Sequence, residues 1–116
     1  MTTQQVANRL VELCRQGKIM ETQQELYADD AISIEGDMAP VKGKQAIIDK
    51  GNTFQSMIEG FHGSEISDPI IADNHFAISW MMDVTMKEKG RMKMQEICVY
   101  KVKDGKVVSE QFFFSM

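Results

Sequence analysis

The feature that most constrains this chain is a change of hydrophobic period. Before Gly63 the apolar residues recur at helical spacing, and from Gly63 onward they alternate. The first half predicts three helices. Thr2, with Gln5 three positions on, forms a capping box that opens the first. Val6, Leu10 and Leu13 make its stripe, Ala7, Val11 and Cys14 widen it, and Gly17 is placed to end it. A second helix is expected from about Ile19 to Tyr27. An Asp29-Asp30 turn and a short strand over Ala31 to Glu35 follow. A third helix after Gly43 is expected to carry Ile47, Phe54, Ile58 and Phe61 on one stripe. Gly51 inside it costs about 1 kcal/mol relative to Ala and marks a candidate point of close packing.

The second half reads as strands. Ile66, Ile70 and Ile71 belong to one strand interrupted at Asp68-Pro69, and Asp73-Asn74 is a turn signal. Long strands are expected over His75 to Lys87, Met92 to Lys103 and Lys106 to Ser115. The hairpin turns Glu88-Lys89-Gly90 and Asp104-Gly105 join them. Helices first and antiparallel strands after define an α+β fold, read as a single domain over residues 1–116.

Turn lengths set a register, and the register assigns faces. The loop at 88–90 puts Met82 opposite Glu96 and Trp80 opposite Cys98. The loop at 104–105 puts Cys98 opposite Gln111 and Glu96 opposite Phe113. The face carrying Trp80, Met82, Met94, Glu96, Cys98, Tyr100, Gln111 and Phe113 is the more apolar and is expected to meet the helices. Glu96 sits in its middle, where loss of water raises a carboxyl pKa toward the range used in proton transfer. The other face carries Ile97, Val99, Phe112 and Phe114, too apolar to be left in water, so a homodimer through the back of the sheet is expected.

Charge and composition remove several classes of function. A net charge of -4 and a pI of about 5.1, with scattered Lys and Arg, offer no field for phosphate backbones, so no nucleic-acid partner is expected. No segment approaches the ~18 apolar residues of a membrane span. Met1 to Gln5 is polar and lacks the apolar stretch of a signal peptide. Cys14 and Cys98, on different elements, read as free thiols of a cytoplasmic protein. With His62 and His75 as the two histidines, neither a metal site nor a cofactor is expected.

Leu26-Tyr27-Ala28-Asp29-Asp30-Ala31, Gly43-Lys44-Gln45-Ala46-Ile47 and the tail from Val99 to Phe113 carry a resemblance that runs nearly end to end. The chain resembles the nuclear transport factor 2-like superfamily, and within it the SnoaL-like and ketosteroid-isomerase-related small proteins. The resemblance implies a cone of three N-terminal helices on a strongly curved, mostly antiparallel sheet around an internal pocket. Counting from the shared Tyr-Ala-Asp-Asp-Ala, it places the isomerase's general base on Glu35 and its second acid at Cys98, one pleat from Glu96. The oxyanion-hole tyrosine falls on Val11, which donates nothing, so steroid isomerisation is not implied.

The expected ligand pocket comprises Trp80, Met82, Met94, Cys98, Tyr100, Gln111, Phe113, His62, Phe54 and Ile58. The expected partner is a small hydrophobic or cyclic molecule. Cofactor-free isomerase- or cyclase-type chemistry would use Glu96 as acid and Glu35 as base. The alternative is a non-catalytic ligand-binding or dimerisation module.

Overall fold

A computed structural model describes residues 1–114 of the chain. Three helices, α1 (Thr3–Arg15), α2 (Ile19–Leu26) and α3 (Lys44–Ser56), are interleaved with seven strands. These are β1 (Tyr27–Glu35), β2 (Val41–Lys42), β3 (Ile58–Ile66), β4 (Ile70–Ala72), β5 (His75–Met86), β6 (Gly90–Lys103) and β7 (Lys106–Phe113). They form one open sheet in the order β2-β1-β7-β6-β5-β3, with β4 continuing the β3 edge along β5. All pairs are antiparallel except β1 with β7. This is the expected α+β architecture. None of the helices is long and apolar enough to cross a membrane.

The helices end where local chemistry ends them. Thr2 Oγ1 accepts from the Gln5 N–H at 3.1 Å, and the Gln5 side chain accepts from the Thr2 N–H at 2.9 Å, closing the capping box. Gly17, at φ 77°, and Lys18 close a Schellman motif, their N–H groups donating to the Cys14 and Leu13 carbonyls at 3.0 Å each. Val6, Ala7, Leu10, Val11 and Cys14 of α1 then pack with Leu26, Ile47, Phe76, Ile78, Cys98, Tyr100 and Val107 in one core. Phe76 and Tyr100 stack there with ring centroids 4.7 Å apart. Both cysteines are free and buried, as expected.

Three local expectations are corrected. Asp29-Asp30 is not a turn: both lie within β1, in a stretch where pairing to β7 slips between Tyr27 and Ile32. The third helix stops at Ser56. The Met57 carbonyl accepts from the Lys87 N–H at 2.8 Å, and the chain then runs along β5. Ile58, Phe61 and His62 are therefore strand residues, and their helical spacing was coincidental. Tertiary pairing overrides a local period when the neighbouring strand offers a full ladder of hydrogen bonds. The 87–89 connection pairs Met86 with Gly90, which sets Trp80 opposite Glu96 and Met82 opposite Met94. This differs from the expected register by two residues, so every face assignment on β5 and β6 survives.

The larger correction is in β7. Lys103 pairs with Lys106 and Val102 with Val107, as the Asp104-Gly105 turn requires, but Lys101 pairs with Ser109. One extra residue in β7 makes a bulge, and every side chain beyond it changes face. Glu110 and Phe112 turn inward, while Gln111 and Phe113 are exposed on the outer face. Gln111 and Phe113 therefore do not belong with the expected pocket, nor Phe112 with the back-face patch. Phe114 lies against Gly36, 3.7 Å from where a Cβ would stand, so it too leaves that patch. The expected strand end at Ser115 lies outside the described residues.

Gly51 faces the Gln23 amide of α2, but an added Cβ would meet it at 3.8 Å, an ordinary contact, and Gly51 is not in the left-handed region. Gly51→Ala is therefore expected to stabilise the fold by about 1 kcal/mol, seen as a Tm rise of a few degrees. A lowered Tm in thermal circular dichroism would mean that the α2–α3 contact needs the glycine.

Candidate acid–base site on the inner face

The bulge builds a polar cluster beneath α3. Register places Ser33 of β1 beside Glu110 of β7, and Glu35 beside Phe112. Across β6, Glu110 lies beside Tyr100 and Phe112 beside Cys98. Glu110 is only 3% exposed, and both its carboxylate oxygens are engaged. The Tyr27 hydroxyl donates to Oε1, and the Ser33 hydroxyl donates to Oε2 at 2.6 Å. Burial pushes the Glu110 pKa up. The hydrogen bonds from Ser33 and Tyr27 and the charge of Lys50 oppose the rise without cancelling it. Burial and the charge of Glu110 hold the Tyr27 pKa well above normal, so Tyr27 remains a phenol and a donor.

Lys50 comes down from α3, one turn after the buried Ile47, to join this cluster. Its Nζ donates to Ser33 Oγ at 2.8 Å and pairs with Glu35 Oε1 at 2.8 Å. It also stands 5.7 Å from the Phe112 ring centroid. Hydrogen bonds link Lys50, Ser33, Glu110 and Tyr27, and an ion pair joins Glu35 to Lys50.

Glu96 is the half-buried acid of the same face. Burial raises its pKa to about 7, and the charges of Glu35 and Glu110 push in the same direction. The Cys98 thiol, which donates to Oε1 at 3.7 Å, and Lys50 lower it in part. Opposite Glu96 on β5 stands Trp80, whose Nε1–H is buried without a hydrogen-bond partner among the described residues. Buried donors are normally satisfied, which sets the Trp80 N–H apart from the rest of the inner face.

Glu35, Glu96, Trp80, Met82, Met94 and Cys98 share the inner face of the sheet, with Phe54 one helical turn beyond Lys50. Cys98 and Tyr100 are fully buried and serve as core beneath the cluster. Ile58 lies opposite Met86 at the far end of β5. His62 is exposed on β3, its Nε2 2.8 Å from Thr85 Oγ1 and away from the cluster. A groove of about 540 Å3 is lined by Glu65, Ile66, Ser67, Ser79, Trp80, Met81, Gln95, Glu96 and Ile97, so it is bordered by Trp80 and Glu96 as well as by outer-face residues.

Tyr27, Ser33, Lys50 and Glu110 were missed from the sequence. Tyr27 and Ser33 read as hinge and strand, Lys50 as a solvated helix residue, and Glu110 as outward. The available signal was the spacing of Ile47, Lys50 and Phe54, which puts a lysine on the buried side of α3.

The sequence model of the SnoaL-like domain matches residues 1–114, and the chain belongs to this family. A protein from Mesorhizobium loti, provisionally named a SnoaL-like polyketide cyclase with carbohydrate phosphatase bracketed beside it, is 35% identical. It superposes with a TM-score of 0.91 over 98% of this chain and 100% of that one. A provisionally named polyketide cyclase from Pseudomonas putida is 13% identical, with a TM-score of 0.77 and coverage of 100% and 93%. A ketosteroid isomerase-like protein from Catenulispora acidiphila, solved with trimethylamine, is 18% identical, with a TM-score of 0.71 and coverage of 84% and 75%. At these lower identities the likeness is one of fold alone. No curated protein matches the chain.

The Glu96 shift makes stability depend on pH. Its folded pKa lies above its ordinary value of 4.5, so between about pH 4.5 and 7 the folded state binds more protons than the unfolded state. Stability therefore falls as pH rises through that window. Glu110 acts in the same direction but is common to wild type and variant. Glu96→Gln is expected to match wild type near pH 4.5 and to exceed it by about 2 kcal/mol at pH 8, allowing for partial exposure. Urea unfolding across this range would show a widening gap, and a constant gap would contradict the shift.

Proposed function

We propose that this chain is a small-molecule pocket protein that performs cofactor-free acid–base chemistry, of isomerase or cyclase type, on a small hydrophobic or cyclic substrate. The observation that carries this reading is Glu96: a half-buried acid with a pKa of about 7 on the same face as the Glu35–Lys50 ion pair. An acid near neutrality beside a carboxylate held as a charge partner supplies both directions of proton transfer. Glu35 would be the acceptor and Glu96 the donor. Trp80, Met82, Met94 and Phe54 would provide apolar walls. The cyclase name of the Mesorhizobium loti relative agrees with this chemistry. Its bracketed phosphatase name does not, because a phosphate monoester would face Glu35 and Glu96 with Lys50 already paired to Glu35. Buried free thiols accord with a cytoplasmic location, which is part of the same proposal.

Deuterium exchange at the α-carbon of bicyclic ketones in D2O, followed by NMR, tests the proposal without the native substrate. Wild type is expected to catalyse exchange with an apparent pKa near 7, and Glu96→Gln or Glu35→Gln to lose about 100-fold or more. Ligand binding by thermal shift that survives both substitutions, with no exchange in wild type, would make the chain a binding module instead.

The outer face supports a homodimer, with a patch revised by the bulge. Ile97 and Phe113 are 47% and 50% exposed, with Val99 half-buried beside them. Two large apolar side chains left half in water beside a groove favour an interface. Sedimentation at micromolar concentration is expected to give a dimer that Ile97→Lys dissociates; a wild-type monomer would refute it.

A further inference from the structure

We infer that a second copy of this chain covers the outer face with the two-fold axis running along β6, so that Phe113 of each copy seats in the groove of the other. This rests on the homodimer reading above and adds where the copies meet and what fills the groove. A two-fold contact needs a knob and a hole on the same face of one chain. Both are here. The groove crosses β3, β5 and β6 between two outward rows of side chains, Glu65–Met81–Gln95 and Ser67–Ser79–Ile97. Phe113 stands beside Ile97, one strand beyond the groove, and is 50% exposed.

The position of the axis follows from the side chains on either side of β6. Two copies packed face to face about an axis along β6 set β6 on β6, β7 on β5, and β1 on the β3–β4 edge. Size is complementary in that arrangement. Along one row, Phe113 of β7 falls on the partner's Ser79. Along the next, Gln111 falls on the partner's Ala77, and Ile34 of β1 on the partner's Ile70. At 77%, Ile70 is the most exposed large apolar side chain among the described residues. This contact removes it from water, one apolar side chain against another.

The charges on β6 place the centre of the contact. An axis along β6 brings each of its outward residues against its own copy, and like charges set opposite each other repel. Gln95, Ile97 and Val99 are uncharged, and cations begin at Lys93 on one side and Lys101 on the other. The uncharged stretch is therefore centred on Ile97. Five strands make the face roughly 20 Å wide, and Lys93 to Lys101 spans about 27 Å, which with side-chain relief approaches the ~800 Å2 per partner of a stable dimer.

Cross-linking with a short bismaleimide tests the axis in three single variants, Gln95→Cys, Ile97→Cys and Val99→Cys. Cys14 and Cys98 are buried and do not compete. Each variant is expected to give a covalent dimer at micromolar concentration, and Lys18→Cys, exposed between α1 and α2, to give none. Phe113→Cys alone is expected to give none, but to cross-link when mixed with Ser79→Cys. Phe113→Ala is expected to raise the dimer Kd about 30-fold or more. Ser79→Trp fills the groove and is expected to leave a monomer, with thermal unfolding to verify that it folds. A dimer by sedimentation in which none of the three β6 cysteines cross-links overturns the axis and leaves the homodimer reading standing. Phe113→Ala with an unchanged Kd overturns the seating of Phe113. A wild-type monomer overturns both readings.

Discussion

The burial of Glu110 is the constraint around which the inner face is organised. A carboxylate at 3% exposure is tolerated only when its oxygens are met, and Tyr27 and Ser33 meet them from one adjacent strand. Ser33 can do so because β1 runs parallel to β7 with Ser33 beside Glu110. Lys50 in turn reaches Ser33 because α3 packs against β1 through Ile47. Helix, parallel strand pair and bulged hairpin are thus tied together by one buried acid. Removing the acid would leave two hydroxyls and a lysine without their geometry.

The network also explains why Glu96 differs from Glu110 although both are acids on one face. Glu110 has two hydroxyl donors and is sealed in the core. Glu96 has one thiol contact and remains half-accessible. Burial raises both pKa values, but Glu96 is the acid that solvent reaches. The two acids are therefore set apart by their exposure and by the number of donors each carboxyl meets.

The β5–β6 assignments survived an incorrect turn because the error was two residues, an even number. Those of β7 failed because the bulge adds one. The consequences follow residue by residue: Gln111 and Phe113 exchanged faces with Glu110 and Phe112, moving one acid to the inner face and one aromatic off the outer face. The α3 stripe failed beyond Phe54 for another reason. Ile58 and Phe61 are spaced as a helix would place them, yet a ladder partner in β5 claims them. Glu35 and Glu96 were legible because alternation alone sets their faces.

Local sequence determined the elements whose signals are local: the Thr2–Gln5 cap, the Gly17 stop, the Asp104-Gly105 turn and the alternation of β5 and β6. These suffice for the α+β order and for Glu96 on the helix-facing side. The tertiary structure alone decided the bulge, the parallel pairing of β1 with β7 and the descent of Lys50 onto Ser33 and Glu35. The physical reason is that a bulge is stabilised by what the shifted side chain meets. Glu110 turns inward because Tyr27 and Ser33, some eighty residues earlier, are there to receive it, and no local pattern in β7 records their presence.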